Sequence, residues 1–219
     1  MTGFVSAGFR GLAALRRAPA FHPVGVVLRG ELRAIADDLP WPAAPVPVVA
    51  RLSKGAGTPG RLPDALGLAV RIPGAGRDGG PWDILLTTAG SGHLGRMLPR
   101  PAAAWTRGAY SSLAPYRRAD RLVWLGAWAA ASAPRIEASL DAARAAGKWE
   151  FVIRTGREDG RWCDSALLTL TGTGGDAPAF DPMLNRPPGL EFAPDWLVRL
   201  RERAYAGSRA GRVRVAAKP

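Results

Sequence analysis

Pro23-Val24-Gly25-Val26-Val27-Leu28-Arg29-Gly30-Glu31-Leu32 opens a series of short apolar runs that decides the fold. Its Val-Gly-Val-Val-Leu core is β-branched, and Gly25 and Gly30 fall where a strand bends or another group comes close. The same punctuation repeats downstream. A connector with Pro40, Pro42, Pro45 and Pro47 leads to a second strand, Val48 to Ser53, and turn-rich Lys54 to Pro63 precedes a third, Gly67 to Ile72. The glycines and prolines of Pro73 to Pro81 mark the turn before a fourth, Trp82 to Thr88. After an irregular middle, 91–107, four more strands follow at Tyr110 to Tyr116, Leu122 to Ala131, Lys148 to Thr155 and Ala166 to Thr171. A helix is predicted between them, over 134–146. Eight short strands in succession favour a closed antiparallel barrel, because closure leaves no edge exposed.

Residues 2–17 read as a short helix with Phe4, Phe9, Leu12 and Leu15 at its apolar positions. At the other end, Pro194 to Ala206 reads as a helix, with Pro194 in its first turn, Asp195 at its positive end and Gly207 at its stop. The expected architecture is α+β: an eight-stranded antiparallel β-barrel with peripheral helices, in one domain over 1–219. Within it, 1–20 hold the N-terminal helix, 21–172 the barrel and 192–212 the C-terminal helix.

A chain of 219 residues can bury one sizeable core, and 47% apolar with 22% charged residues is a globular profile. No apolar run reaches the roughly 20 residues of a membrane helix. In residues 1–17 the arginines follow the apolar residues, the reverse of a secretory signal. Cys163 is the single cysteine, so a reducing compartment, the cytoplasm, is expected. The net charge of +12 comes almost entirely from scattered arginine, and no aromatic-basic interleaving is read along any strand, which argues against nucleic acid as the partner.

The first four strands hold Phe21-His22-Pro23-Val24-Gly25, then Arg29-Gly30, then Pro47 to Ser53 with its Arg51-x-Ser53. Asp64-Ala65-Leu66-Gly67-Leu68-Ala69-Val70-Arg71 and Trp82-Asp83-Ile84-Leu85 follow. In order and spacing this series resembles the haem-facing half of a catalase barrel. There a histidine opens the first strand, an Arg-x-Ser closes the second, an Asp-x-x-Gly-x-Ala-x-basic run makes the third and a Trp-Asp pair opens the fourth. The C-terminal helix is similar too: catalases ligate haem iron with a tyrosine one turn after an arginine and seven residues before another. Arg201, Tyr205 and Arg212 stand at those spacings here. The likeness covers 21–90 and 192–212; between them it rests on strand count.

The resemblance implies haem b as cofactor and a peroxide as small-molecule substrate, in a catalase- or peroxidase-like oxidoreductase. His22 would be the distal acid–base group, moving a proton between peroxide oxygens as their bond breaks. Ser53 would hold the His22 ring. Arg51 and Arg212 would pair with haem propionates. Tyr205 would bind iron, with Arg201 stabilising the phenolate. Phe21 and Val24 would pack near the haem face. Thr87 stands where catalases carry an asparagine, and the chain is far shorter than a catalase. Both differences point toward peroxidase action or organic hydroperoxides. Two other readings stay open: a barrel that has lost haem and serves as a structural or lipid-binding module, and a basic nucleic-acid binder. An oligomer is compatible with all three.

His93, in a Gly-rich loop, reads as a loop residue and Cys163 as a small packed hydrophobe. Two histidines and one cysteine form no zinc set. Asp64 and Asp83 read as hydrogen-bond acceptors at a turn and a strand end. Gly55 to Gly60 lacks the Gly-Lys-Ser/Thr ending of a phosphate loop.

Overall fold

In the computed structural model the described residues are 25–193. They form ten antiparallel strands: β1 (Gly25–Ala34), β2 (Val46–Lys54), β3 (Leu66–Ile72), β4 (Trp82–Ala89), β5 (Ala109–Ser111), β6 (Tyr116–Arg118), β7 (Arg121–Ala129), β8 (Trp149–Gly156), β9 (Trp162–Thr173) and β10 (Glu191–Phe192). Eight of them close on themselves in the order β7-β5-β4-β3-β2-β1-β9-β8, with β8 pairing back to β7. β6 and β10 extend the sheet from β7 as a small flap.

Closure follows from alternation. In β3, Leu66, Leu68, Val70 and Ile72 are buried while Gly67, Ala69 and Arg71 face out. The inward residues of neighbouring strands, among them Leu28, Ala50, Leu52, Ile84, Leu86, Leu125, Phe151, Ile153, Leu168 and Leu170, are buried in one core cluster. An eight-stranded cylinder is just wide enough for such side chains to fill it. Each fully buried Leu, Ile or Phe contributes about 1.5–3 kcal/mol. Gly30 sits at the register shift in β1, where a Cβ would lie 1.9 Å from the Thr169 carbonyl oxygen, so the glycine permits the bulge.

Polar clusters close the barrel ends. At one end Trp41 stacks on Trp82, ring centroids 4.7 Å apart. Beside them the Thr155 and Ser165 hydroxyls each donate to Asp38 at 2.5 Å, and Trp41 Nε1 donates to Ser165 Oγ at 2.7 Å. At the other end the turn 55–64 folds over Asp64. That carboxylate accepts from the backbone N–H groups of Ala56 and Thr58 and from the Thr58 hydroxyl.

The strands fall where the sequence predicts them, with two corrections. Tyr110 to Tyr116 is not one strand: Leu113 adopts φ 60° and Pro115 follows, splitting it into β5 and β6. The helix predicted over 134–146 shrinks to α1 (Leu140–Ala145), capped by Ser139 Oγ accepting from Ala142 N at 3.1 Å. Upstream of it the Ile136 N–H donates to Thr106 Oγ1 and Ala104 bridges Glu137, tying the backbone to a neighbouring loop instead of a helix. Beyond α1, only single 3-10 turns at Arg77–Gly79 and Gly95–Met97 are helical among the described residues. Peripheral helices are therefore few there, and the helices expected at 1–20 and 192–212 fall, but for 192–193, outside those residues. No described helix is long and apolar enough to cross a membrane.

Candidate functional site

β2 defines the outward surface that matters. Val48, Ala50 and Leu52 enter the core, so Val49, Arg51 and Ser53 face out together. The register then extends the face sideways. Ser53 pairs with Gly25 on β1 and Gly67 on β3; Gly67 pairs with Thr87 on β4, and Thr87 with Ser111 on β5. The adjacent row reads Val27, Arg51, Ala69, Leu85. Apart from Arg51, these two rows make a floor of small and apolar residues, with hydroxyls at half-exposed Thr87 and at buried Ser53 and Ser111. Followed around the curved wall it runs about 19 Å over five strands at ~4.8 Å per strand, roughly half the circumference of the eight-stranded barrel.

Two glycines keep this floor low. A Cβ at Gly67 would lie 2.8 Å from Ser53 Oγ, and one at Gly25 would lie 2.7 Å from Arg51 Nε, because the Arg51 side chain folds across that position. Arg51 is half-buried, and burial pulls its guanidinium below the ordinary value. Ser111 Oγ accepts from the Leu113 N–H at 3.1 Å. Where it is lowest, around Gly67 and Ala69, the wall offers a shallow surface to an apolar group, with Arg51 beside it for a carboxylate.

Below the floor, Arg71 and Asp83 form a clamp. The buried Asp83 accepts Arg71 Nε at 2.7 Å and Nη2 at 2.6 Å, the Asp181 N–H at 2.7 Å and Asn185 Nδ2 at 2.7 Å. The hydrogen-bonded Asp83 carboxylate holds the Arg71 guanidinium above its ordinary value. This clamp straps the segment 174–193 onto β3 and β4. The strap ends where the Ala193 N–H donates to the Pro115 carbonyl at 3.0 Å. The Asp of the Trp-Asp pair is thus a structural acceptor, and Asp64 serves likewise at its turn.

Of the residues singled out from the sequence, Arg51 and Ser53 are brought to one face, alongside Thr87. His22, Phe21, Val24, Arg201, Tyr205 and Arg212 lie outside the described residues. Gly25 stands at the β1 margin of the floor, and the Ala193 N–H is held by the Pro115 carbonyl. His93 is an exposed loop residue and Cys163 is half-exposed. Among the described residues no group of His, Cys, Asp or Glu side chains has the arrangement of a metal site.

Sequence reasoning missed a second feature, on the adjoining wall of β7, β8 and β9. Arg96, from the 3-10 turn Gly95–Met97, is fully buried with its guanidinium 3.6 Å from the Trp124 ring centroid and 5.9 Å from that of Trp162. Burial lowers its pKa, against the raising effect of Asp159 and Glu158. Nη1 donates to the Arg157 carbonyl at 2.7 Å, while Arg96 Nε and Trp124 Nε1 find no partner among the described residues. The signal that could have found it is the density of Trp and Arg between 121 and 162, whose convergence depends on register.

No protein-family model matches the chain, and no curated protein matches it at a significant level.

Proposed function

We propose that the chain is a haem-binding oxidoreductase that processes peroxides, its haem b lying on the outward floor of β1 to β5. The observation that carries this reading is the row Gly25, Ser53, Gly67, Thr87, Ser111, beside Arg51 and Ala69. It lays a low surface of mostly small side chains next to a half-buried guanidinium. The packed lumen supports the outer wall as the site, since the inward positions are filled by the core cluster and leave an acyl chain or a macrocycle no room inside.

In this reading Gly67, Ala69, Val27 and Leu85 face the macrocycle. Arg51 and Arg212 hold its carboxylates, and Tyr205, its phenolate stabilised by Arg201, is the iron ligand. Haem b, when bound, supplies the iron that accepts and returns the two oxidising equivalents of a peroxide. Ser53 orients the His22 imidazole, which takes the proton from one peroxide oxygen and gives it to the other as the bond between them breaks. Phe21 and Val24 would pack near the haem face. Thr87 offers the substrate a hydroxyl where catalases have a longer amide, which suits peroxidase chemistry or organic hydroperoxides better than dismutation.

Titrating haem into the purified chain tests this. A stoichiometric Soret band of the tyrosinate type is expected, shifted in Tyr205→Phe. A wild-type chain that stays folded and takes up no haem overturns the reading.

A further inference from the structure

The wall formed by β7, β8 and β9 carries an aromatic and basic strip that the haem reading does not use. Trp128 and Trp162 meet edge to face, centroids 4.8 Å apart at 70°, and both are half-exposed. The Arg154 guanidinium lies 4.9 Å from the Trp128 ring centroid, and Arg96 lies between Trp124 and Trp162. Four separate segments supply these groups, so interleaving that is absent along the chain is created across it. Gly126 and Gly156 seat the rings: a Cβ at either would fall 2.7–2.9 Å from the Trp128 or Trp162 ring. Next to the indoles runs a half-exposed apolar row in which Trp128 pairs with Val152 and Val152 with Leu167; Arg33 lies beyond.

The cations converge where the strip begins. The β6–β7 and β8–β9 hairpin tips are joined by the Leu122 N–H donating to Glu158 Oε1 at 2.9 Å. They carry Arg117, Arg118, Arg121, Arg157 and Arg161 against Asp120, Glu158 and Asp159. Arg161 pairs with Asp159 and Arg154 with Asp164, but both pairs are exposed, and such pairs contribute little enough for a phosphate to replace the carboxylate.

We propose that this wall binds single-stranded nucleic acid, the indoles stacking bases and the hairpin-tip arginines holding the phosphate backbone. Half-exposed aromatic rings beside a basic track are the two elements of sequence-tolerant single-strand binding. The indoles rest in glycine seats instead of projecting past the cations, which suits stacking of a base better than insertion among acyl chains. The surface adjoins the haem floor, Gly126 pairing with Ser111, but it needs no cofactor, so it stands or falls without haem.

Anisotropy of a labelled oligo-dT of roughly 20 nucleotides, titrated with the full chain without haem, tests the proposal. Saturable binding is expected, with log affinity falling against log salt by about 0.7 per phosphate contact. Trp128→Leu, which keeps an apolar group in place, should weaken binding about tenfold while lowering the thermal unfolding midpoint by no more than about 4 °C. Arg121→Ala with Arg157→Ala, at exposed tips away from the core, should flatten the salt slope by about 1.4. Three results overturn the proposal: no binding at low salt; binding that heparin displaces equally well and Trp128→Leu leaves intact, the mark of a mere polycation; or capture by phosphatidylserine vesicles with none of the oligonucleotide.

Discussion

The two halves of the outer wall stand on one hydrogen-bonded cylinder and share its inward pattern, yet they present opposite surfaces. From β1 to β4 the outward residues include Gly25, Val27, Ser53, Gly67, Ala69 and Thr87, and the wall is a low floor, half-exposed except at buried Ser53. From β7 to β9 they are Trp124, Gly126, Trp128, Arg154, Gly156 and Trp162, and the wall covers itself with its own rings. Glycine appears in both, with different consequences. Gly67 keeps the floor low beside a serine hydroxyl, whereas Gly126 and Gly156 are already filled by indole atoms. Inward residues fix the barrel, and the size of the outward partner decides whether a glycine leaves room for a ligand or for the protein itself.

The sharpest way to break this contrast is to fill one glycine in each half. Gly67→Val places a branched side chain on the floor, with its Cβ 2.8 Å from Ser53 Oγ. It should abolish the Soret band in a haem titration while leaving oligonucleotide affinity within about twofold, since the two walls act at separate sites. Gly156→Val should do the reverse. Its Cβ would meet Trp162 ring atoms at 2.9 and 3.0 Å, displacing the strip at a position two strands from the floor and leaving haem uptake intact. Equal losses of both activities in either variant would show that the walls are not independent.

Next in size is the strap that bounds the floor. Asp83 is buried and gathers four hydrogen bonds from Arg71, Asp181 and Asn185. Asp83→Ala leaves those donors unpaired and should cost about 3 kcal/mol in urea unfolding, in the range for breaking a buried pair. Trp128→Leu on the other wall should cost under about 1 kcal/mol, because its ring is half-exposed. A loss at Asp83 no larger than that at Trp128 would mean the strap is not clamped as described.

The sequence made the strands legible because β-branched runs and Gly/Pro turns are local signals, and Arg51 and Ser53 could be placed on one face from their spacing alone. Gly25 and Gly67 become their neighbours only through register, which residue spacing within one strand cannot supply. The break at Leu113 was hidden because its left-handed backbone is imposed by closing the sheet, while Ala-rich 134–146 has helical propensity that tertiary hydrogen bonds at Ile136 and Glu137 override. The Trp128–Arg154–Trp162 strip was illegible for the same reason as the floor's glycines: strand pairing assembles it.

A smaller effect distinguishes the end of the barrel that both walls share. Burial pushes the Asp64 carboxyl up, but hydrogen bonds from the Ala56 and Thr58 N–H groups and the Thr58 hydroxyl outweigh it, with a further backbone bond from Ala65, and hold it below its ordinary value. A carboxyl depressed in the folded state stabilises fully above its unfolded pKa of about 3.9, and that stabilisation is lost as pH falls through the lower folded value. Urea midpoints of the wild type should therefore drop more steeply below about pH 4 than those of Asp64→Asn, with haem and oligonucleotide binding at neutral pH unchanged. Parallel acid profiles would remove this role from Asp64.

The smallest effect belongs to Lys54, at the rim of β2. Burial lowers its ammonium pKa, and the nearby Asp64 charge partly restores it. Nζ donates to the Gly60 and Leu62 carbonyls at 3.0 Å each. In Lys54→Met the Leu62 carbonyl keeps the Thr58 hydroxyl as a donor, and exposed Gly60 turns to water, so the cost should stay within about 1 kcal/mol. The sign of the pH effect identifies the group. A base depressed in the folded state binds fewer protons there than when unfolded, so wild-type stability should rise as pH climbs through the folded value toward the unfolded one near 10.4. Lys54→Met lacks that rise, and urea midpoints of the two proteins should separate only in that alkaline window. Separation at neutral pH by more than about 1 kcal/mol would make Lys54 a structural strut of the turn that closes the barrel, shared by both walls, and the independence of floor and strip would have to be measured again with that turn intact.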